Sequence, residues 1–306
     1  MGGRSSEHEI SLGSARSVVE GLDRERYEVV PVEIPRAGPW LPGSEVLAGV
    51  DVVFPVLHGP FGEDGTVQGL LELADVAYVG AGVTASALAM DKDLFKSVLR
   101  DKGIPVARSV TLRRGDQQTS PFGFPCVVKP ARLGSSVGIS IVRSANELPA
   151  AVELAFAHDE KVLVEEFLDG VEVECSVLGN LDPVASVPGE IVPLASDWYD
   201  YEAKYAEGGM ELVVPARIPA ETAARVQELA VAAFVASDCE GMARVDFFVR
   251  PGGEVVVNEL NTIPGFTATS VYAKLFEASG LPYPQLLDRL IELALERRDR
   301  RARLRF

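Results

Sequence analysis

A chain of 306 residues, 47% hydrophobic and 24% charged, has an ordinary globular balance and room for two or three domains. Its 29 Lys and Arg against 45 Asp and Glu leave a net charge of -16, which excludes a surface built for nucleic acid and requires any anionic substrate to find a locally basic cleft. Nothing approaches 18 consecutive apolar residues, and the amino terminus, MGGRSSEHEIS, has no apolar signal region; the expectation is a cytoplasmic enzyme with no membrane partner.

Ser6 and Glu9 fit a capping box ahead of LGSARSVVEGL, where Leu12, Ala15, Val18, Val19 and Leu22 recur at helical spacing. YEVVPVEI (27–34) and VDVVFPVLHG (50–59) read as short strands, the second ending at His58 in the Gly-rich turn HGPFGEDGTVQGLLEL. Loops at strand ends are where α/β domains place function, but His58 reads equally as a buried structural histidine. AYVGAGVTASALAMDKDLFKSVLRDKGIPV continues with a strand, a turn and a helix carrying Lys92, which alone reads as solvated. Cys126, Cys175 and Cys239 are far apart and in apolar contexts, the pattern of reduced core thiols.

CVVKPARLGSSVGISIV (126–142) is a strand with Lys129 at its end, a small-residue loop at 134–138, and a second strand. Backbone amides of such a loop can cradle phosphate oxygens. It leads into a strand, so it is not a P-loop, and a plain glycine hairpin is the alternative. ELPAAVELAFAH (147–158) is helical, and KVLVEEFLDGVEVECSVLG (161–179) gives two strands broken at Asp169 and Gly170, with Glu165 and Glu172 on either side. SDWYDYEAKYAEGG (196–209), aromatic, charged and aperiodic, reads as a lid or an ordinary surface loop. AETAARVQELAVAAFVASDC and YPQLLDRLIELALERR are helices, the last ending in arginines that the helix dipole and solvation account for.

Between those helices, ARVDFFV and EVVVNEL flank Arg250, Pro251, Gly252 and Gly253, which is turn chemistry between strand patterns. If Val249 closes on Glu254, Arg244 lies opposite Glu259 and Asp246 opposite Val257. Arg244, Asp246, Glu259 and Asn261 then share one face. Asp246 and Glu259 become diagonal neighbours about 7–8 Å apart, a distance from which two carboxylates converge on a hard cation, with Asn261 adding an amide oxygen. A half-exposed hairpin with a wet polar face is the competing reading.

GGRSSEHEIS, LHGPFGEDGTVQG, GAGVTASALAMDK, VVKPARLGSSVGIS, EEFLDGVEVE, YDYEAKY, ARVDFF and NELNTIPGFTATS, in this order, resemble the D-alanine–D-alanine ligases of the ATP-grasp superfamily. The resemblance covers nearly the whole chain. It implies mixed α/β and α+β architecture: an ATP-grasp fold of three domains (1–80, 81–164 and 165–306), the first with a Rossmann-like parallel sheet. The implied reaction joins two D-alanines at the expense of ATP, for peptidoglycan precursors. Asp246, Glu259 and Asn261 would hold two Mg²⁺ (or Mn²⁺). Lys92, Lys129 and the lid's Lys204 would contact phosphates, while Glu165, Glu166, Phe167 and Leu168 would meet adenine and Glu172 the ribose. Glu7, with His58 nearby, would hold the first D-alanine, and Glu7, Ser135 and Tyr205 would link amino-terminal domain, glycine loop and lid. Arg244 and the Gly265 amide would stabilise the oxyanion, and Arg244 and Ser270 the second D-alanine. A homodimer is also implied.

In the family a hydrophobic strand directly precedes GGRSSEHE, and here Met1 occupies the position where that strand should end. The expectation is a missing central strand, through a start assigned too late or a shortened chain. Alternatives are ligases making D-alanyl-D-lactate or D-alanyl-D-serine, against which Lys204-Tyr205 resembles the dipeptide-forming pattern, and a ligase for another acid and amine. A further alternative is a truncated nucleotide-binding protein without ligase activity.

Overall fold

The computed structural model describes residues 1–38, 44–194 and 209–305. The expected lid, with Lys204 and Tyr205, lies outside the described residues apart from Gly209. Helix α1 (His8–Gly21) buries Ala15 and Val18 as their spacing predicts. The capping box does not form. Glu7 is the N-cap and no side chain caps the helix, because the Glu7 carboxylate is drawn to Ser135 Oγ, 2.6 Å away. After the single turn α2 (Ser44–Leu47), β1 (Val52–Val53), α3 (Thr66–Leu73) and β2 (Ala77–Tyr78) make a unit whose two strands pair in parallel. The strand expected at 27–34 is reduced to a bridge between Ile34 and Gly2. That expected at 50–59 is two residues long, and Pro55 has no amide to prolong it.

Helices α4 (Val83–Met90) and α5 (Lys92–Asp101) come next. Strands β3 (Ser109–Leu112), β4 (Cys126–Pro130) and β5 (Ser140–Val142), with β6 (Val162–Glu166) after α6 (Leu148–Phe156), form an antiparallel sheet in the order β3-β6-β4-β5. Helix α6 covers one face, packing Val152 and Ala155 with Val128 and Val164. The larger sheet takes β7 (Val171–Gly179), β8 (Val184–Ala185), β9 (Gly189–Pro193), β10 (Met210–Val213) and, beyond α7 (Ala220–Ala236), β11 (Gly241–Val249) and β12 (Val255–Asn261). Its order is β10-β9-β7-β11-β12 with β8 on β7. Val226 and Phe234 of α7 fill one face together with Ala85, Phe95 and Leu99 of α4 and α5. Helix α8 (Val271–Ala278), α9 (Tyr283–Arg301) and α1 fill the other. Thus α4 and α5 pack on the larger sheet although they precede the smaller one. Strand β6 runs through 164/165, and the chain passes between the sheets at 167–170.

The β11–β12 hairpin has a different register from the one expected. Arg250 and Glu254 close the turn, with Arg250 N donating to Glu254 O at 2.9 Å, so Val249 faces Val255 rather than Glu254. A bulge then shifts the pairing again between Asp246 and Phe247, placing Asp246 directly opposite Glu259 and Arg244 opposite Asn261. A one-residue slip turns every side chain to the other face, and two slips restore it. The shared face survives for that reason, with its carboxylates closer than the diagonal expectation.

All three cysteines are free and buried, as their apolar contexts predict. The terminal arginines do more than end a helix. Arg297, only 4% exposed, donates to the carbonyls of Tyr78 and Gly80 and stacks 4.3 Å from the Tyr78 ring centroid. Arg300 pairs with Glu240 and Arg301 with Glu72. Helix dipole and solvation leave these contacts unexplained; they fasten α9 to β2 and to the approach of β11.

Candidate active site

A cleft of ≈ 380 Å³ lies between the two sheets, walled by Val127 and Ile141 from the smaller one and Phe248 and Ile191 from the larger. Glu165, Glu166, Phe167, Leu168 and Glu172 line it where the chain crosses between sheets, and Lys92, Lys129 and Ser135 line it elsewhere. Lys129, at the end of β4, puts Nζ 2.7 Å from Glu165 Oε2. Lys96, fully buried, puts Nζ 2.9 Å from Glu165 Oε1. Burial by itself would raise the Glu165 carboxyl, but the Lys129 and Lys96 ammoniums hold it below the usual range. Burial lowers Lys96 to about 8 against the pull of Glu165. Glu166 is held by Arg108 through contacts of 2.8 and 2.7 Å. Lys92 is buried, not solvated: its ammonium donates to Leu133 O at 2.8 Å and lies 3.5 Å from Glu259 Oε2.

On the hairpin face, Arg244 forks onto Asp246 with two contacts of 2.7 Å and reaches Glu174 Oε2 at 2.8 Å. Asn261 Nδ2 donates to Asp246 Oδ2 at 2.9 Å. Glu174, on β7, stands beside Asp246 in the ladder, so Asp246 lies between two other carboxylates, Glu174 and Glu259, with Arg244 and Lys92 as counter-charges. Among the described residues no three His, Cys, Asp or Glu side chains gather around one point. Two carboxylates and an amide oxygen nevertheless fit a hard cation of the kind that takes its remaining ligands from phosphate and water. The bulge places Asn258 beside Glu259 on the cleft wall, 3.5 Å from Lys129.

At the cleft's edge, Ser135 Oγ donates to Glu7 Oε1 and ties the 134–138 loop to the start of α1. Ser135 and Ser136 hold positive φ angles of 55° and 57°. Non-glycine residues take that conformation at a cost. His58 stands behind Glu7, with Nδ1 3.0 Å from Ile263 O and Nε2 3.1 Å from Ser14 Oγ. A carbonyl only accepts, so Nδ1 carries the proton and Nε2 accepts from Ser14. Burial lowers the His58 pKa, against the opposing charge of Glu7. Both ring nitrogens are thus engaged within the protein. Glu63 accepts from Gly59 N at 3.0 Å, and burial, reinforced by Glu7, pushes its carboxyl well above the usual range. Ser270, the N-cap of α8, accepts from Thr267 N at 2.9 Å, and a side chain on Gly265 would lie 3.4 Å from its Oγ.

Of the expected residues, Lys92, Lys129, Ser135, Glu165 and Glu259 line the cleft, Glu7 reaches it through Ser135, Asp246 pairs with Glu259 in the ladder and holds Arg244 and Asn261 beside it, off the lining, and Gly265 lies beside Ser270. Sequence reading missed Glu63, Lys96 and Glu174. Glu63 sits in a turn noticed for its glycines, and the other two differ from ordinary strand and helix charges only in what they meet across the fold.

A nucleotide-sized cleft between two antiparallel sheets, edged by lysines and a carboxylate pair, defines an ATP-grasp protein. Family models described as "D-ala D-ala ligase C-terminus" and "D-ala D-ala ligase N-terminus" match residues 98–292 and residues 1–48 and 41–81. The D-alanine–D-alanine ligase of Solibacter usitatus is 50% identical over 315 residues, covering 100% of this chain and 97% of the relative. The crystal structure of the VanG D-Ala:D-Ser ligase from Enterococcus faecalis is 39% identical with a TM-score of 0.87, covering 96% of this chain and 97% of that one. The D-alanine–D-alanine ligase of Bacillus anthracis complexed with ATP is 32% identical with a TM-score of 0.84, covering 98% and 97%. The chain belongs to the D-alanine–D-alanine ligase family.

Proposed function

We propose that the chain joins two D-alanines into D-alanyl-D-alanine for peptidoglycan precursor synthesis, with ATP as the third substrate. The observation that carries this is a shared boundary. Lys92 meets Glu259 at 3.5 Å on one side of the cleft edge, and Glu7 meets Ser135 of the phosphate-side loop at 2.6 Å on the other. Groups suited to phosphate and groups suited to an amino acid thus adjoin.

In the first step a carboxylate oxygen of one D-alanine attacks the γ-phosphorus, whose bond to ADP breaks. In the second, the amine of the other D-alanine attacks the acyl carbon, a proton leaves the nitrogen, and the bond to phosphate breaks. Adenine lies against the backbone of Glu166, Phe167 and Leu168, the ribose near Glu172, and the phosphates between Lys92, Lys129 and the 134–138 loop; Lys204 is a further candidate for them. Glu165 fixes Lys129 from behind. Asp246, Glu259 and Asn261 would hold two Mg²⁺ (or Mn²⁺), which when bound neutralise the phosphates and brace the transferring group.

Glu7 takes the ammonium of the first D-alanine and, through Ser135, relates its presence to the loop. His58, neutral and fixed by Ser14 and Ile263, keeps α1 in place behind it. Arg244 and the Gly265 amide face the oxyanion, a role in which one lost donor costs about 10²–10³ in rate. Ser270, at the positive end of α8, takes the second carboxylate with Arg244. A cytoplasmic reaction fits the use of ATP, and a homodimer would show twice the chain mass by sedimentation.

The test is phosphate release from ATP and Mg²⁺ with D-alanine alone, then with D-lactate or D-serine added, and products identified by mass. Turnover with D-alanine alone yielding D-alanyl-D-alanine is expected. A mixed product with D-serine is the second reading, prompted by the likeness to the VanG enzyme. ATP binding without amino-acid-dependent turnover would leave a nucleotide-binding protein.

A further inference from the structure

Lys161 lies outside the cleft, just before β6, and its ammonium pairs with Asp91 and Asp93, neither of them assigned above to a substrate. Its side chain is buried, with Nζ 2.6 Å from Asp91 Oδ1 and 3.3 Å from Asp93 Oδ2. Asp91 is the N-cap of α5, and the same Oδ1 accepts the amide of Leu94 at 3.2 Å. Lys92 is the first residue of that helix. Its amide donates to Ala131 O at 3.0 Å, and the Ala131 amide donates to Lys161 O at 2.9 Å. One residue further, Asp159 accepts Arg132 N at 2.8 Å and Lys161 N at 3.1 Å. The helix that presents Lys92 and the segment that leads into the 134–138 loop are therefore fastened to one short stretch of chain.

A buried ammonium is costly alone and becomes tolerable between two carboxylates. Without it Asp91 would still cap α5 and both carboxylates would still favour the helix amino end. The helix would survive, but it would lose its charged attachment to β6. We infer that Lys161 is a positioning residue for the nucleotide phosphates, holding Lys92 and the 134–138 loop at a fixed separation. The inference rests on the reading that this cleft binds ATP.

The test compares Lys161→Met, Lys161→Arg and Asp91→Asn with the unaltered chain in three measurements: KM for ATP and for D-alanine, ATP affinity by calorimetry, and thermal unfolding. Lys161→Met is expected to raise both KM and Kd for ATP about 10- to 100-fold with the KM for D-alanine unchanged, and Lys161→Arg to recover most of the loss. Asp91→Asn keeps a capping oxygen and removes the charge, so it should shift the same constants and serves if Lys161→Met does not fold. A lowered unfolding temperature with unchanged ATP affinity, or KM values that rise together for ATP and D-alanine, would overturn the inference. Absence of D-alanine-dependent turnover in the unaltered chain would count against the ligase reading alone, since calorimetry still decides Lys161; absence of ATP binding would overturn both.

Discussion

Glu63 shows how a single side chain is set by surroundings the sequence does not display. In HGPFGEDG it is one acid among turn residues, whereas in the fold it is half-buried beside Glu7, and desolvation reinforced by the Glu7 charge pushes its carboxyl well above the ordinary value. The unfolded chain releases this proton at the ordinary carboxylate pKa and the folded chain retains it to higher pH. The stability this contributes is present below the ordinary pKa and is lost as pH rises through the folded one. Glu63→Gln keeps an acceptor for Gly59 N and removes the ionisation. The substrate-free variant should therefore be more stable than the parent at pH 8 and lose that advantage at pH 4, by denaturant unfolding at both values. A variant less stable at pH 8 would mean that Arg244 holds Glu63 ionised. The candidate site was legible where a residue's chemistry repeats in a pattern, as at Arg244, Asp246, Glu259 and Asn261. It was not legible at Glu63, Lys96 and Glu174, whose significance comes from partners distant in sequence.

At the scale of elements, strand alternation and turn residues located the hairpin, and backbone detail set its register. Gly252 and Gly253 adopt φ angles of 97° and 88°, which carries the closure one residue beyond the expected Val249–Glu254 pair. A side chain on Gly252 would meet nothing within 4 Å, so the cost of Gly252→Ala is that of the left-handed backbone alone, about 1–2 kcal/mol. Urea unfolding should show this loss; no change would mean that the turn relaxes to another type. Helices with clear spacing, such as α7 and α9, were readable. The strand expected at 27–34 was not, because apolar alternation describes a face and says nothing of whether a neighbouring strand pairs along it.

Across the whole molecule, Arg297 carries the attachment of α9 to β2. Its guanidinium serves two carbonyls and the Tyr78 ring, and burial lowers its pKa. Arg297→Met would keep the stem's packing and leave the Tyr78 and Gly80 carbonyls without this donor. A loss of about 3 kcal/mol is expected in denaturant unfolding, since hydrogen bonds from a charged group contribute about 1.5–3 kcal/mol each. An unchanged midpoint would show that the β1–β2 pairing holds this edge unaided. Gly241 marks a second close approach, where a side chain would come within 3.1 Å of the Gly80 backbone.

Strand spacing and residue chemistry by themselves determined the hairpin face of Arg244, Asp246, Glu259 and Asn261, because a shared face depends only on local periodicity; the class of fold and the other candidate residues at the cleft were implied by the resemblance that the ordered motifs carry. Tertiary structure alone decided which charges are counterbalanced and buried: Lys92 against Glu259, Lys96 and Lys129 on Glu165, Lys161 between Asp91 and Asp93. A charge in a sequence reads as solvated until the fold brings it a partner, and the free energy of burying it depends on that partner's distance.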